Sequence, residues 1–421
     1  MKILWFANTP CGATEKLTRK SVTGGGWLYA LSEQLIREPN VELHIAFYWG
    51  AKLNSFVHKG IYYHPVLRDG FASKWGRYIY RLRQQFDKNI DLREIERLQH
   101  VYNEVKPDIV HFHGSEENFG LLAEKINSPM CISIQGMLAP YLYKLYSGYQ
   151  RKDVCRLQSL RSKMMLDGFE ANERKMRIRA EREKRILIII PNILGRTGWD
   201  QDCTLALNRD RNYYTCNEIL RSEFFKKEWK EPSTEIPFTI VTTVSCGLYK
   251  GLEMVYKTAS LLRDAQFDFQ WNIIGVAKED PIVNITRKIT SITPQDVSIN
   301  LLGIKNAPEM VGVLQGSHVF VQVSHIENSP NSLCEAMIMG MPIVASFAGG
   351  TSSLLQDGKE GILVQDGDPY RLAGAIIGMK GDYQRAIEMG QNARKRALVR
   401  HNPNNVVDEL LTAYHNIIAE W

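Results

Sequence analysis

Two glutamates eight positions apart, Glu327 and Glu335, stand in the stretch H-I-E-N-S-P-N-S-L-C-E-A-M-I-M-G, residues 325–340. From Leu333 to Met339 every position except Glu335 is apolar or cysteine, so that carboxylate has few polar neighbours to receive it. Burying a carboxylate without donors is strongly unfavourable. Sugar or ribose hydroxyls would supply donors; a structural Arg or Lys would serve as well. Lys250, in T-V-S-C-G-L-Y-K-G, is a mobile cation suited to a diphosphate, and Gly251 beside it permits close backbone approach. Gly24, Gly25 and Gly26 open a helix over Trp27 to Ile36 and expose N–H groups to an anion. In D-I-V-H-F-H-G the strand period puts His111 and His113 on one side, and Gly114 makes His113 the one at the strand end.

The elements that must hold these groups follow from hydrophobic period. Short β-rich runs alternate with longer amphipathic ones, the pattern of βαβ units and parallel sheets. Strands are expected at Lys2 to Ala7, Glu42 to Tyr48, Ile109 to His113, Met130 to Ile134, Ile186 to Ile190 and Tyr213 to Thr215. A second series runs over Thr239 to Val244, Gln270 to Ile274, Ile299 to Leu302, Val319 to Val323, Pro342 to Ala345 and Ile362 to Val364. The expected architecture is α/β, with two Rossmann-like doubly wound domains facing across a cleft. An N-terminal domain spans 1–218, a polar, proline-containing linker 219–236, and a C-terminal domain 237–403. A closing helix, 404–421, returns to the first domain. In such sheets ligands gather outside the carboxyl ends of the strands. Ser329 suits an N-cap, Pro330 the first helical position and Gly340 the stop. The N–H groups of Ser332 and Leu333 then lack internal partners and face an anion.

With these residues in place, residues 319–368 resemble the C-terminal signature of retaining glycosyltransferases of family 4, which have the GT-B fold. The matching strings are H-I-E-N-S-P-N-S-L-C-E-A-M-I-M-G-M-P-I-V-A-S, G-G-T and D-G-K-E-G-I-L-V; the similarity is dense from about residue 240 onward and sparser before it. The resemblance implies that Glu327, Asn328 and His113 meet the donor sugar and that Glu335 holds the ribose. Lys250 and Gly251, Gly25 and Gly26, and Ser332 and Leu333 would hold the diphosphate. It makes Glu327, His113 and Lys250 the catalytic set and puts Gly24 and Gln135 on the acceptor side. Two positions depart from the family pattern: Val244 stands where relatives carry an Arg, with Arg196 as a substitute, and Gln135 stands where they read His. The implied reaction moves a sugar from a nucleoside-diphosphate sugar, UDP- or GDP-linked, to a saccharide or lipid-linked saccharide in cell-surface polysaccharide synthesis. No cofactor and no metal are expected. An epimerase or phosphorylase on the same architecture, or an inactive nucleotide-sugar-binding protein, are the alternatives.

Composition narrows the field further. The chain of 421 residues has 44% hydrophobic and 23% charged residues, which excludes a disordered or fibrous chain. The formal net charge is +6, and Arg151 to Arg185 alone hold twelve Lys or Arg against six Asp or Glu. That segment is read as a peripheral contact for an anionic membrane or as a solvated helix, and nucleic acid is not expected. No apolar run is long enough to span a bilayer, no signal peptide is apparent, and seven scattered cysteines suit a reducing compartment. A cytoplasmic protein, peripheral at the inner face of the membrane, is expected. Asp200 to Asp202 and Asp366 to Asp368 spell D-x-D but are read as loop and cap residues.

Overall fold

A computed structural model describes residues 1–18, 26–68, 73–86, 90–233 and 236–421. The chain forms two compact units. The first comprises Met1–Leu142, Ser159–Ile219 and His401–Trp421; the second comprises Tyr143–Gln158 and Leu220–Arg400.

In the first unit eight strands, β1 (Lys2–Ala7), β2 (Glu42–Trp49), β3 (Phe56–His58), β4 (Ile61–Leu67), β5 (Ile109–His113), β6 (Met130–Ser133), β7 (Asn192–Gly195) and β8 (Asn212–Thr215), lie in the order β3-β4-β2-β1-β5-β6-β7-β8. All neighbours are parallel except the β3/β4 hairpin. Strand β1 shows why: after Lys2 it buries five consecutive residues, as a strand covered on both faces must. Ile3, Trp5 and Ala7 enter one core layer, and Leu4 and Phe6 the other. The order of strand addition reverses between β1 and β5, the switch point where such sheets bind ligands.

The second unit repeats the plan with β9 (Phe238–Thr243), β10 (Phe269–Ile274), β11 (Ile299–Leu301), β12 (Val319–Gln322), β13 (Ile343–Phe347) and β14 (Ile362–Gln365), all parallel, in the order β11-β10-β9-β12-β13-β14. Its switch point lies between β9 and β12.

Several sequence expectations need correction. Ile186 to Ile190 is no strand; it ends the helix Phe169–Ile189. Ile186, Leu187 and Ile190 are buried while Ile188 is 60% exposed, the one-sided burial of a helix. Strands β3 and β4 escaped notice because Pro65 interrupts I-Y-Y-H-P-V-L. It is tolerated where β3, paired only to Ile61, Tyr62 and Tyr63, no longer covers that edge. Of the stretch expected as a linker, the described part up to residue 233 is packed on the second unit: Leu220, Phe224 and Trp229 enter its core, and Trp229 Nε1 donates to Ser317 O at 2.8 Å. Tyr143–Gln158 also clusters there, tied by Lys144 to Asp366 (2.9 Å) and Tyr149 to Thr286 (2.7 Å). Helix Pro403–Ala419 packs into the first unit, where the Tyr414 hydroxyl meets Trp5 Nε1 at 2.9 Å and His111 Nδ1 at 2.6 Å.

Candidate active site

In the second unit the loops after β9 and β12 converge at the switch point. The first loop makes a short turn, Leu248–Lys250, and Gly251 takes a left-handed φ of 77° where a Cβ would collide with the carbonyl of Val323. Only glycine permits that approach without strain. His325 N donates to Tyr249 O at 2.8 Å, fastening the loops together. The result brings Lys250 Nζ within 2.5 Å of Glu327 Oε1. Burial alone would lower the Lys250 pKa, but the Glu327 carboxylate outweighs it and holds the ammonium charged. A third loop closes over the glutamate: Gly350 N donates to Glu327 O at 2.9 Å, and a side chain at Gly349 would strike that same carbonyl.

The helix that follows runs Asn331–Met339 with Pro330 as its N-cap, one position later than Ser329 and Pro330 suggested. Leu333 and Cys334 make the first internal bonds, both to Pro330 O, which leaves the N–H groups of Asn331 and Ser332 at the open end. Leu333 is therefore spent within the helix. Glu335, 2% exposed, receives Arg221 through Nε and Nη2, both at 2.7 Å. Burial raises its pKa, and the guanidinium offsets only part of that. Sequence reasoning did not find Arg221, since nothing near it in the chain marks a partner 114 residues away.

A second buried pair supports the loop. His325 Nε2 lies 2.7 Å from Glu253 Oε1, and its Nδ1 lies 3.4 Å from Asp366, which Lys144 also reaches. Asp368 caps the helix Pro369–Gly381 through Arg371 N (2.9 Å). Asp200 belongs to a capping box with Thr197 and accepts Tyr213 OH at 2.5 Å. Both D-x-D strings thus have structural work.

In the first unit the strand ends carry groups of another kind. His111 and His113 are fully buried and stacked at 3.8 Å between centroids. His111 is satisfied by Tyr414 and by Ser133 Oγ (2.5 Å), whereas both ring nitrogens of His113 lack partners. Burial, with His111 and Arg196 adding to it, drives the His113 pKa well below its usual value, so the ring is neutral. At the ends of β1, β5 and β6, Asn8 Nδ2 donates to Glu116 Oε1 (3.0 Å) and to Gln135 Oε1 (3.3 Å). Glu116 Oε2 is buried without a partner, and burial pushes its carboxyl up to about 7. Glu116 lies in G-S-E-E-N just past the histidines; its place after a strand end was the available signal. Gly26 opens the helix Gly26–Leu35, while Gly24 and Gly25 lie outside the described residues. Arg196 is 6% exposed, 3.6 Å from Glu218 and 4.3 Å from the Trp27 ring, occupied within its own unit. Val244 is buried.

Residues 238–382, within the second unit, match the family described as Glycosyl transferases group 1. The chain is 29% identical over 150 residues to D-inositol 3-phosphate glycosyltransferase of Pseudarthrobacter chlorophenolicus, covering 35% of this chain and 36% of that protein. It is 26% identical over 158 residues to the putative colanic acid biosynthesis glycosyltransferase WcaL of Escherichia coli, covering 36% and 38%. It thus spans about a third of the length of the curated relatives it matches. Two solved structures share the whole two-domain α/β fold. Sucrose-phosphate synthase of Thermosynechococcus elongatus superposes with a TM-score of 0.72 at 15% identity, covering 100% of both chains. Anabaena HepE in complex with UDP and glucose superposes at 0.64 and 13%, covering 99% and 100%.

Proposed function

We propose that this chain, whose residues 238–382 are a glycosyltransferase group 1 domain, is a family 4 retaining hexosyltransferase that uses a nucleoside-diphosphate sugar. The observation that carries this reading is the Lys250–Glu327 contact of 2.5 Å at the switch point of the second sheet, beside a helix start with open N–H groups. Departure of a diphosphate leaves positive charge on the sugar and puts negative charge on the leaving oxygens. Lys250 and the Asn331 and Ser332 amides meet the latter, and Glu327 with Asn328 the former. Preorganised donors of this kind contribute about 3–4 kcal/mol each to a transition state. The bond from the anomeric carbon to the phosphate oxygen breaks, and the acceptor oxygen bonds to the same face. Its proton passes to the departing phosphate, so no protein base and no metal are assigned. Glu335 is assigned to the ribose and neutral His113 to the donor sugar.

The UDP held by HepE favours a uridine donor. A saccharide or lipid-linked saccharide is the assigned acceptor, and WcaL, named for colanic acid biosynthesis, supports a role in polysaccharide assembly. Thermal-shift titration with UDP-, GDP- and ADP-sugars tests the donor class, because a ligand that binds the folded state raises its melting temperature. A response to one nucleotide is expected; silence with all three removes the reading.

A further inference from the structure

Helix Lys74–Phe86, K-W-G-R-Y-I-Y-R-L-R-Q-Q-F, turns its apolar side outward. Trp75, Ile79 and Phe86 are 76%, 46% and 69% exposed and recur at helical spacing, while Tyr80 on another face is buried and donates to Glu94 at 2.7 Å. The same helix holds four Lys or Arg and no acid. Arg81 donates to Met165 O (3.0 Å) and to Asp167 (3.1 Å), which joins it to the neighbouring helix Leu160–Met164. That second helix buries none of its residues: Leu160 and Met164 are 78% and 74% exposed, flanked by Arg161 and Lys163. Clustered exposed apolar side chains mark an interaction surface, and Trp and Phe suit the boundary between headgroups and acyl chains.

We infer that this face of the first unit seats on an anionic lipid bilayer, its apolar stripe entering the headgroup boundary and Arg83, Arg161 and Lys163 facing lipid phosphates. Charge selects this occupant over a second copy of the chain, because two such faces would bring basic groups together. Of the basic segment Arg151 to Arg185, the helix Leu160–Met164 belongs to this face, whereas basic residues of the helix Phe169–Ile189 are engaged elsewhere: Arg182 pairs with Asp91 (3.0 Å), Arg185 with Glu124 (2.6 Å) and Arg177 with Glu173 (2.8 Å). No described helix is long and apolar enough to cross a membrane, so the contact is peripheral.

Flotation of the full chain with vesicles tests this without reference to glycosyl transfer. Wild type is expected to float with phosphatidylglycerol-containing vesicles and not with pure phosphatidylcholine. The double variant Trp75→Ser/Phe86→Ser, altered only at exposed positions, is expected to lose about tenfold or more of that binding with its melting temperature intact. Arg83→Gln/Lys163→Gln is expected to weaken binding and flatten its salt dependence; an unchanged salt dependence overturns the proposal. Failure of wild type to float, or unchanged flotation of the apolar variant, overturns the proposal. So does a sedimenting dimer that the apolar variant abolishes.

Discussion

The strand ends of the two units make an instructive contrast. In the second unit the polar groups are matched in pairs: Lys250 with Glu327, Arg221 with Glu335. In the first unit Arg196 lies beside Glu218 just after β7, but around the ends of β1, β5 and β6 burial works against charge, leaving His113 neutral and Glu116 drawn toward its protonated form. A matched ion pair at a switch point is a cation already present, which an incoming phosphate can recruit by displacing the carboxylate toward another partner. Neutral groups offer directional hydrogen bonds without a field, which suits hydroxyls. On the proposed function, one fold plan used twice serves an anion site in the second unit and a hydroxyl site in the first, through the choice of compensating residues.

The sharpest way to break this contrast is to remove the cation. Lys250→Ala is expected to lower turnover by about 10²–10³-fold, the scale of one lost transition-state donor. Glu327→Gln keeps the size and frees Lys250, so donor affinity should hold or improve while turnover falls. Steady-state kinetics with parallel nucleotide binding separates the two; equal small effects on both would mean the pair is merely structural.

Much of the second unit was legible from the chain. Strand, loop, proline, apolar helix and glycine follow one another within about fifty residues, and short-range rules of period and capping suffice for them. The mates were hidden because they are set by topology. Arg221 reaches Glu335 over 114 positions from a stretch that looks like a linker. In the first unit the signals themselves misled: I-L-I-I-I is strand-like in composition, and only the register of the preceding helix decides its fate. Glu116 and Gln135 meet through Asn8, from three separate strand ends that no local pattern connects.

The arginine gives the next largest effect. Arg221→Ala leaves Glu335 buried among apolar neighbours, and breaking such a pair is expected to lower stability by about 2–3 kcal/mol, reduced from a fully buried case by the arginine's partial exposure. With its pKa already raised, Glu335 can take up a proton instead. The loss should then be smaller at pH 5 than at pH 8, because a raised folded-state pKa favours folding at low pH and the benefit fades as pH climbs. Urea denaturation at both values checks this; a loss independent of pH would mean that Glu335 finds another cation.

The smallest effect tests the neutral side of the contrast. Burial holds the Glu116 carboxyl at about 7, well above the usual carboxylate range. The folded state therefore binds its proton more tightly than the unfolded one, and this contribution to stability is complete below about 4.5 and lost as pH rises through about 7. Glu116→Gln cannot titrate. Measured against it, wild type should weaken by about 1 kcal/mol between pH 5 and pH 8, less than the whole shift implies because the residue as a whole is only half-buried. If the two proteins keep a constant difference across that range, Glu116 is ionised throughout. The ends of β1, β5 and β6 would then carry charge like the strand ends of the second unit, and the proposed division into an anion site and a hydroxyl site would fall.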